Sequence, residues 1–455
     1  MLRSKLRLAV WSLLITVFLT SGLSCKLIPQ TSVAPELEKQ ITLEYWGVWE
    51  DRDDLNPVIA DFQTLHPNIK VNYTKFRYTE YEQKLLEAWA DDRGPDIYSI
   101  PAGWLKKYQS RITVQPATVR LPFQEVTKTM GKTEVKTVVS PVSIYSTSDI
   151  KNQFADVVYN DVVINNQIYG LPVSVDTLAL FYNRALLDAA GIATPPTTWE
   201  DIAIATKKIS LLNADNNFVR SGIALGTGAN ISNSADILSL LMMQNGSAMA
   251  DARGNVSFGS VQDRNTSPAM DALRFYTDFA DPIKEVYSWN NSQPNSLDAF
   301  IAGRVAMIFG YAYHLPTIKG RAPKLDFGVS PMPQITSGTR AINYSNYWIT
   351  TVSHKAVNSE VAWGFINFLT MPTEAEKYLT AARLPSALRS LIGSQADDPE
   401  IGIFASQVLT AKRWYRGADS TKMENIFNQL ITDFPNSLKP AELLQRAASQ
   451  IAQSW

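Results

Sequence analysis

Strands and helices alternate from residue 41 onward, and that alternation restricts the fold more than any other feature of the chain. Residues 41–46 (ITLEYW) place Ile41, Leu43 and Tyr45 on one face, the period of two that marks a strand. Leu55, Val58, Ile59, Phe62 and Leu65 then recur at helical spacing, and Pro67 stops that helix. Ile69, Val71 and Tyr73 alternate again. Leu85, Leu86 and Trp89 mark a second helix ahead of Gly94-Pro95, and residues 96–100 (DIYSI) form a short apolar run suited to a buried strand. Strand, helix, strand, helix, strand is the α/β pattern, with parallel neighbours in the sheet.

Residues 110–150 interrupt this order. They are rich in Thr, Val and Lys and weakly periodic, and they read as a long excursion with a helix and irregular connections. Residues 168–183 read as strand, turn, strand. A short helix follows, ending at Gly191 in the C′ position. Thr198 with Asp201 three residues on forms a capping box for a helix that buries Trp199, Ile202 and Ile209. Residues 305–310 and 327–333 read as strands. Val361 to Leu369 reads as a helix with Trp363, Phe365, Ile366 and Leu369 inward, and the chain from Pro399 onward as mostly helical.

At the N-terminus, Arg3, Lys5 and Arg7 precede an apolar run from Leu8 to Leu19, broken only by Ser12 and Thr16. That run is too short to span a bilayer comfortably, and the layout is that of a signal peptide over residues 1–24. Cys25 is the only cysteine, so no disulfide within the chain and no cysteine-based metal cluster is possible. Residues 25–40, with Pro29 and Pro35, read as a tether that reaches roughly 50 Å if extended. The 42 basic and 43 acidic side chains nearly balance and form no like-charge block, which argues against nucleic acid as a partner. His66, His314 and His354 have no metal-ligand spacing and are expected at the surface or at helix ends. The GKT string at Gly131 has Val126 where a phosphate loop needs its first glycine, and no G-x-S-x-G elbow is present. No catalytic residue, metal ligand or cofactor is assigned.

Residues 169–209 (YGLPVSVDTLALFYNRALLDAAGIATPPTTWEDIAIATKKI) closely resemble the signature of the extracellular solute-binding protein family 1. These are receptors of ATP-driven sugar importers, similar to maltodextrin-binding proteins. PDIYSIP (95–101), DAFIAGRVAMIFGYAY (298–313), FGVSPMP (327–333) and SEVAWGFINFLTMP (359–372) match in family order. The resemblance implies an α/β, two-lobed periplasmic-binding-protein type II fold with discontinuous domains joined by hinge strands. Lobe one would be 41–175 and 346–395, and lobe two 176–345 and 396–455. It implies a non-enzymatic, monomeric receptor that captures a sugar between the lobes and delivers it to ABC transporter permease subunits. Alternatives are a secreted carbohydrate-active enzyme or a ligand-sensing receptor on a similar scaffold. The string GLSC ending at Cys25 resembles the lipobox of bacterial lipoproteins. Ser24 fits that pattern and Gly22 departs from it. Cys25 would then anchor an exported protein to the membrane, at the cell surface or in the periplasm.

Ligands of open α/β sheets bind beyond the carboxyl ends of strands, where the first strand delivers Trp46 and Trp49. Each is weighed there against packing on the neighbouring helix. Glu50 or Asp51 could accept sugar hydroxyls, and Trp104 follows the third strand towards the same edge. Tyr311 and Tyr313 follow the VAMIF strand, where the family commonly places a stacking aromatic. Asp176 lies at the first crossing between lobes. Tyr344 and Asn346, with Tyr347 and Trp348, lie at the second, and strand alternation lets about half of these face a ligand. Trp414 falls where the family's C-terminal segment returns near the cleft. Arg413 and Arg416 beside it either pair with an anionic group or lie on the surface. Flat rings suit the apolar faces of a pyranose, so a neutral mono- or oligosaccharide is expected.

Overall fold

The structure, a computed structural model, describes residues 39–129, 132–251, 253–260, 267–335 and 341–455. The expected signal peptide, Cys25 and nearly all of the tether lie outside the described residues.

Strands β1 (Ile41–Gly47), β2 (Ile69–Lys75) and β3 (Ile97–Pro101) alternate with helices α1 (Arg52–Leu65) and α2 (Tyr78–Ala90). Next come β4 (Thr118–Thr129), β5 (Lys132–Ser143), α3 (Asp156–Val162), β6 (Asp176–Thr177) and β7 (Ala179–Asn183). The middle of the chain supplies β8 (Leu211–Leu212), β9 (Phe218–Ile223), α4 (Ser234–Gln244), β10 (Val305–Gly310) and β11 (Phe327–Ser330). The rest supplies β12 (Asn343–Asn346), β13 (Trp348–Val352), α5 (Ser359–Leu369), β14 (Ala411–Lys412) and α6 (Ser420–Asp433).

The first sheet has the order β13-β3-β1-β2, with β1 parallel to both neighbours and β13 antiparallel to β3. The second has the order β8-β9-β10-β7-β11, in which only β9 and β10 run parallel. A third, three-stranded sheet, β14-β12-β6, joins the two bodies. Each large sheet has its own core. One draws on residues 41–175, 347–392 and Val408, the other on residues 178–344 and 404–451. The fold is therefore α/β and two-lobed, and each lobe is built from separate stretches of chain. Among the described residues, no helix is long and apolar enough to cross a membrane.

Local chemistry explains most elements. Ile41, Leu43 and Tyr45 are buried on one face of β1, as the period of two requires. On α1, Leu55, Val58, Ile59 and Phe62 are buried, whereas Leu65 at the fraying end is exposed. The Thr198 side chain accepts from the Asp201 amide and opens the helix Trp199–Ile209, and Gly191 adopts φ +68 after the helix Arg184–Ala189.

The excursion at 110–150 differs from expectation. It holds a long antiparallel hairpin, β4 with β5, registered from Thr118↔Ser143 to Thr129↔Lys132. Its Thr and Val content favours strands, and Val119 and Leu121 are buried against α5. A Cβ on Gly364 of α5 would stand 2.7 Å from Leu121 Cδ2, so the glycine admits this close approach. The outer half of the hairpin exposes Val126 and Val135, which conceals the alternation in the sequence.

The three histidines fall at helix ends or at the surface, as expected. His66 and His314 sit at helix ends but are buried, and only His354 is exposed. His66 Nδ1 lies 2.8 Å from the Pro122 carbonyl oxygen, between the rings of Phe62 and Phe123.

Candidate functional site

A cavity of about 590 Å³ lies between the lobes. Its lobe-one wall begins where β1 ends. A Cβ on Gly47 would fall 2.5 Å from Glu50 Oε2 and 2.6 Å from the Tyr73 hydroxyl, so glycine lets the next four residues fold back tightly. That loop presents Trp49 and Glu50 to the cavity. Glu50 Oε1 accepts from Ser99 Oγ at 3.0 Å, and Oε2 accepts from the Tyr73 hydroxyl at 3.2 Å. Asp51, the other acid of the loop, points instead to Lys75 at 2.5 Å.

Trp49 reaches across the cleft. Its ring stacks on Tyr313 of the opposite lobe, with centroids 5.8 Å apart and planes 22° from parallel. Tyr78 stacks on Trp49 at 6.1 Å, and Tyr311 stacks on Tyr313 at 5.5 Å. Trp348 meets Trp49 edge-on, and Trp104 lies behind Trp348 at 6.4 Å. Trp49, Tyr78, Trp104, Tyr313 and Trp348 line the cavity.

The turn that carries Tyr313 is held by charge and hydrogen bonding. Asp176 Oδ1 accepts from the amides of Thr177 at 2.8 Å and Ala312 at 3.1 Å, and Oδ2 from the Tyr313 amide at 3.3 Å. Burial nevertheless pushes its carboxyl up to about 7, because desolvation outweighs these three donors. His314 Nδ1 accepts from the Tyr311 amide at 2.9 Å, which requires that nitrogen to be unprotonated. Burial lowers this imidazole to about 4, in keeping with that role.

Of the expected site residues, Trp49, Trp104, Asp176, Tyr313 and Asn346 line the cavity. Asn346 pairs with Asp176 in the register of β12 and β6, so the two share the cleft floor. Asn346, Tyr347 and Trp348 all line it in succession, because the strand breaks at Tyr347 and alternation is lost there.

Four residues are placed elsewhere. Trp46 packs on Phe76 at 4.6 Å, on the helix side of its strand. Tyr311 is wholly buried and donates its hydroxyl to Asp236 Oδ2 at 2.7 Å. Tyr344 is buried in the lobe-two core. Trp414 is buried there as well, donating Nε1 to Ser239 Oγ at 3.0 Å and stacking on Trp455. Arg413 and Arg416 are committed to an internal partner, with Nε atoms each 3.0 Å from opposite oxygens of the buried Asp161.

Sequence reasoning missed Tyr78, Asn233, Asp236, Asn295, Ser420 and Glu424, which also line the cavity. They lie at or near the starts of α2, α4, the helix Ser296–Ile301 and α6. Asn295 and Asp419 accept N–H groups at two of these starts, and such cap residues ahead of helical runs were the available signal. Burial raises Asp236 to about 6. Desolvation, then the charges of Asp236 and Asp419, raises Glu424 to about 7. Among the described residues, no cluster of His, Cys, Asp and Glu could hold a metal ion.

Comparison with known proteins places this geometry. A binding protein of Brucella abortus is 24% identical over 237 residues, which cover 51% of this chain and 54% of that relative. The matched chain thus spans about half that relative's length. The multiple sugar-binding protein of Streptococcus mutans is 23% identical over 359 residues, covering 78% of this chain and 77% of that protein. An ABC transporter solute-binding protein of Thermotoga lettingae, solved bound with α-D-tagatose, superposes with a TM-score of 0.66 at 20% identity. It covers 91% of this chain and 99% of its own. The family model for bacterial extracellular solute-binding proteins matches residues 49–376, well over half of the chain, and the chain belongs to that family.

Proposed function

We propose that this protein is the exported receptor of an ABC importer, capturing a mono- or oligosaccharide in the cleft and delivering it to the permease. The observation that carries the reading is the aromatic wall, with Trp49 from one lobe stacked on Tyr313 from the other across a cavity of about 590 Å³. A pyranose offers apolar C–H faces to such rings, while Asn233, Asn295, Asn346 and the hydroxyls of Ser232 and Ser420 suit its rim. Relatives support the sugar class, one named for multiple sugars and another solved with tagatose. Lobe one (41–175 and 346–395) and lobe two (176–345 and 396–455) would close on the ligand about the three-stranded sheet, and the permease would read the closed form. Thermal-shift screening of the purified protein against mono- and oligosaccharides tests this. A stabilising sugar, recovered unchanged after incubation, is expected. A library without a hit, alongside tight binding of a peptide or metal, would remove the reading.

A further inference from the structure

The cavity combines aromatic faces with four carboxylates, Glu50, Asp176, Asp236 and Glu424, and among the described residues no Lys, Arg or His lines it. None of the four carboxylates holds an ion pair among the described residues, and the guanidinium groups nearby, Arg413 and Arg416, are both engaged by Asp161. Asp176 is only 6% exposed, faces the cavity and receives N–H groups but no cation. Burial presses Asp176, Asp236 and Glu424 towards their neutral forms, with the charges of Asp236 and Asp419 adding to it at Glu424 and the charge of Arg413 opposing it at Asp236.

The aromatic rings share this end of the cavity. The charge of Glu424 bears on Tyr78, and the charges of Asp176 and Asp236 bear on Tyr313. Ring faces attract cations and add to the pull of the carboxylates. Opposing this, α4 and α6 begin at the cavity, each with about half a positive charge. Asp236 in the first turn of α4 and Asp419, which accepts from the Lys422 amide at 2.9 Å, already answer those two fields. Arg413 also bears on Asp236, so the carboxyls of the cavity left without an opposing charge among the described residues are Glu50, Asp176 and Glu424.

We propose that the cleft selects a saccharide bearing a protonated amine, its ammonium set among Asp176, Asp236 and Glu424 and its ring against Trp49 and Tyr313. This rests on the sugar reading above and departs from the neutral sugar expected from sequence in charge alone. A carboxylate or sulfate on the ligand would face four carboxyl groups and, among the described residues, no lining cation, so the same walls disfavour acidic sugars.

Calorimetric titration of the whole purified protein tests it, using two- and three-unit oligomers of glucosamine, their N-acetylated counterparts, glucose and glucuronic acid, with spermidine as a non-sugar cation. The amine-bearing oligomers should bind at least tenfold tighter than the N-acetylated ones, about 1.4 kcal/mol. That ratio should fall towards one in Glu424→Gln and in Asp236→Asn. Glu424 is exposed to the cleft, so its variant keeps the fold. The asparagine at 236 still offers an oxygen to the Tyr311 hydroxyl. Equal or tighter binding of neutral or acidic oligomers overturns the proposal, as does an amine preference that survives both substitutions. Binding of spermidine with no sugar bound keeps the cation site and removes the sugar reading. Neutral sugars bound without amine preference do the reverse.

Discussion

Tyr311 and Tyr313 are two residues apart and have opposite fates. Tyr313 stands over the cavity and is 37% exposed, while Tyr311 has no exposed surface and serves Asp236. Replacing Tyr313 or Trp49 by Ala should weaken sugar binding at least tenfold, about 1.4 kcal/mol, with little change in melting temperature. Tyr311→Ala should cost about 3–5 kcal/mol of stability, as for other buried aromatics cut to Ala. Equal affinities for wild type and both ring variants would remove the stacking wall from the site. Sequence could name both tyrosines but not choose between them, because a two-residue step after a strand end can turn either inward. The same holds for Trp46 and Trp49, separated only by the turn at Gly47. Titration acts at this scale too. Asp176 is raised from 3.8 to about 7 on folding, so between those values the native state holds the extra proton and stability falls as pH rises. His314 is lowered from 6.5 to about 4, so its contribution is present above 6.5 and lost as pH falls towards 4. The ligand-free protein should therefore lose about 1.4 kcal/mol from Asp176 between pH 6 and pH 8, while between about pH 4 and pH 6 the Asp176 gain and the His314 loss offset each other. A melting temperature that climbs steadily from pH 6 to pH 8 would contradict this.

Between elements, α3 and the segment after β14 are bound through one carboxylate. The Asp161 side chain, 1% exposed, takes Arg413, Arg416 and the Tyr347 hydroxyl, the last at 2.8 Å. Removing one member of a buried pair strands the other, so Asp161→Ala should lose about 3–5 kcal/mol in denaturant titration. A loss under 1 kcal/mol would mean that solvent reaches the arginines freely. Elements with strict periodicity and marked ends were legible in the sequence: β1, α1, the capped helix from Trp199, and α5. The hairpin β4–β5 was not, since its outer half turns Val126 and Val135 to solvent and Pro122 interrupts the pattern inside β4. The Asp161 cluster was equally hidden, because its arginine partners lie 252 and 255 residues away and only the tertiary fold brings them together.

For the whole molecule, the proposed anchor at Cys25 is a matter of membrane attachment. Two acyl chains give stable attachment at about 0.8 kcal/mol per buried methylene. Cys25→Ala should move the protein from the membrane fraction to the soluble fraction, and a variant as firmly bound as the parent would exclude lipidation there. The building of lobe one from two separate stretches of chain has a further consequence, in the order of synthesis. The lobe-one sheet lacks its partner strand β13 until residues 348–352 have been made, and its core lacks Trp363 and Phe365 until α5 follows. At ordinary elongation rates of about 5–20 residues per second, the first 175 residues wait roughly 10–35 s for those partners. During that interval β3 has an open edge and the lobe-one core is incomplete. A discontinuous lobe thus times its own folding, since its first stretch cannot complete its core before its second has been made.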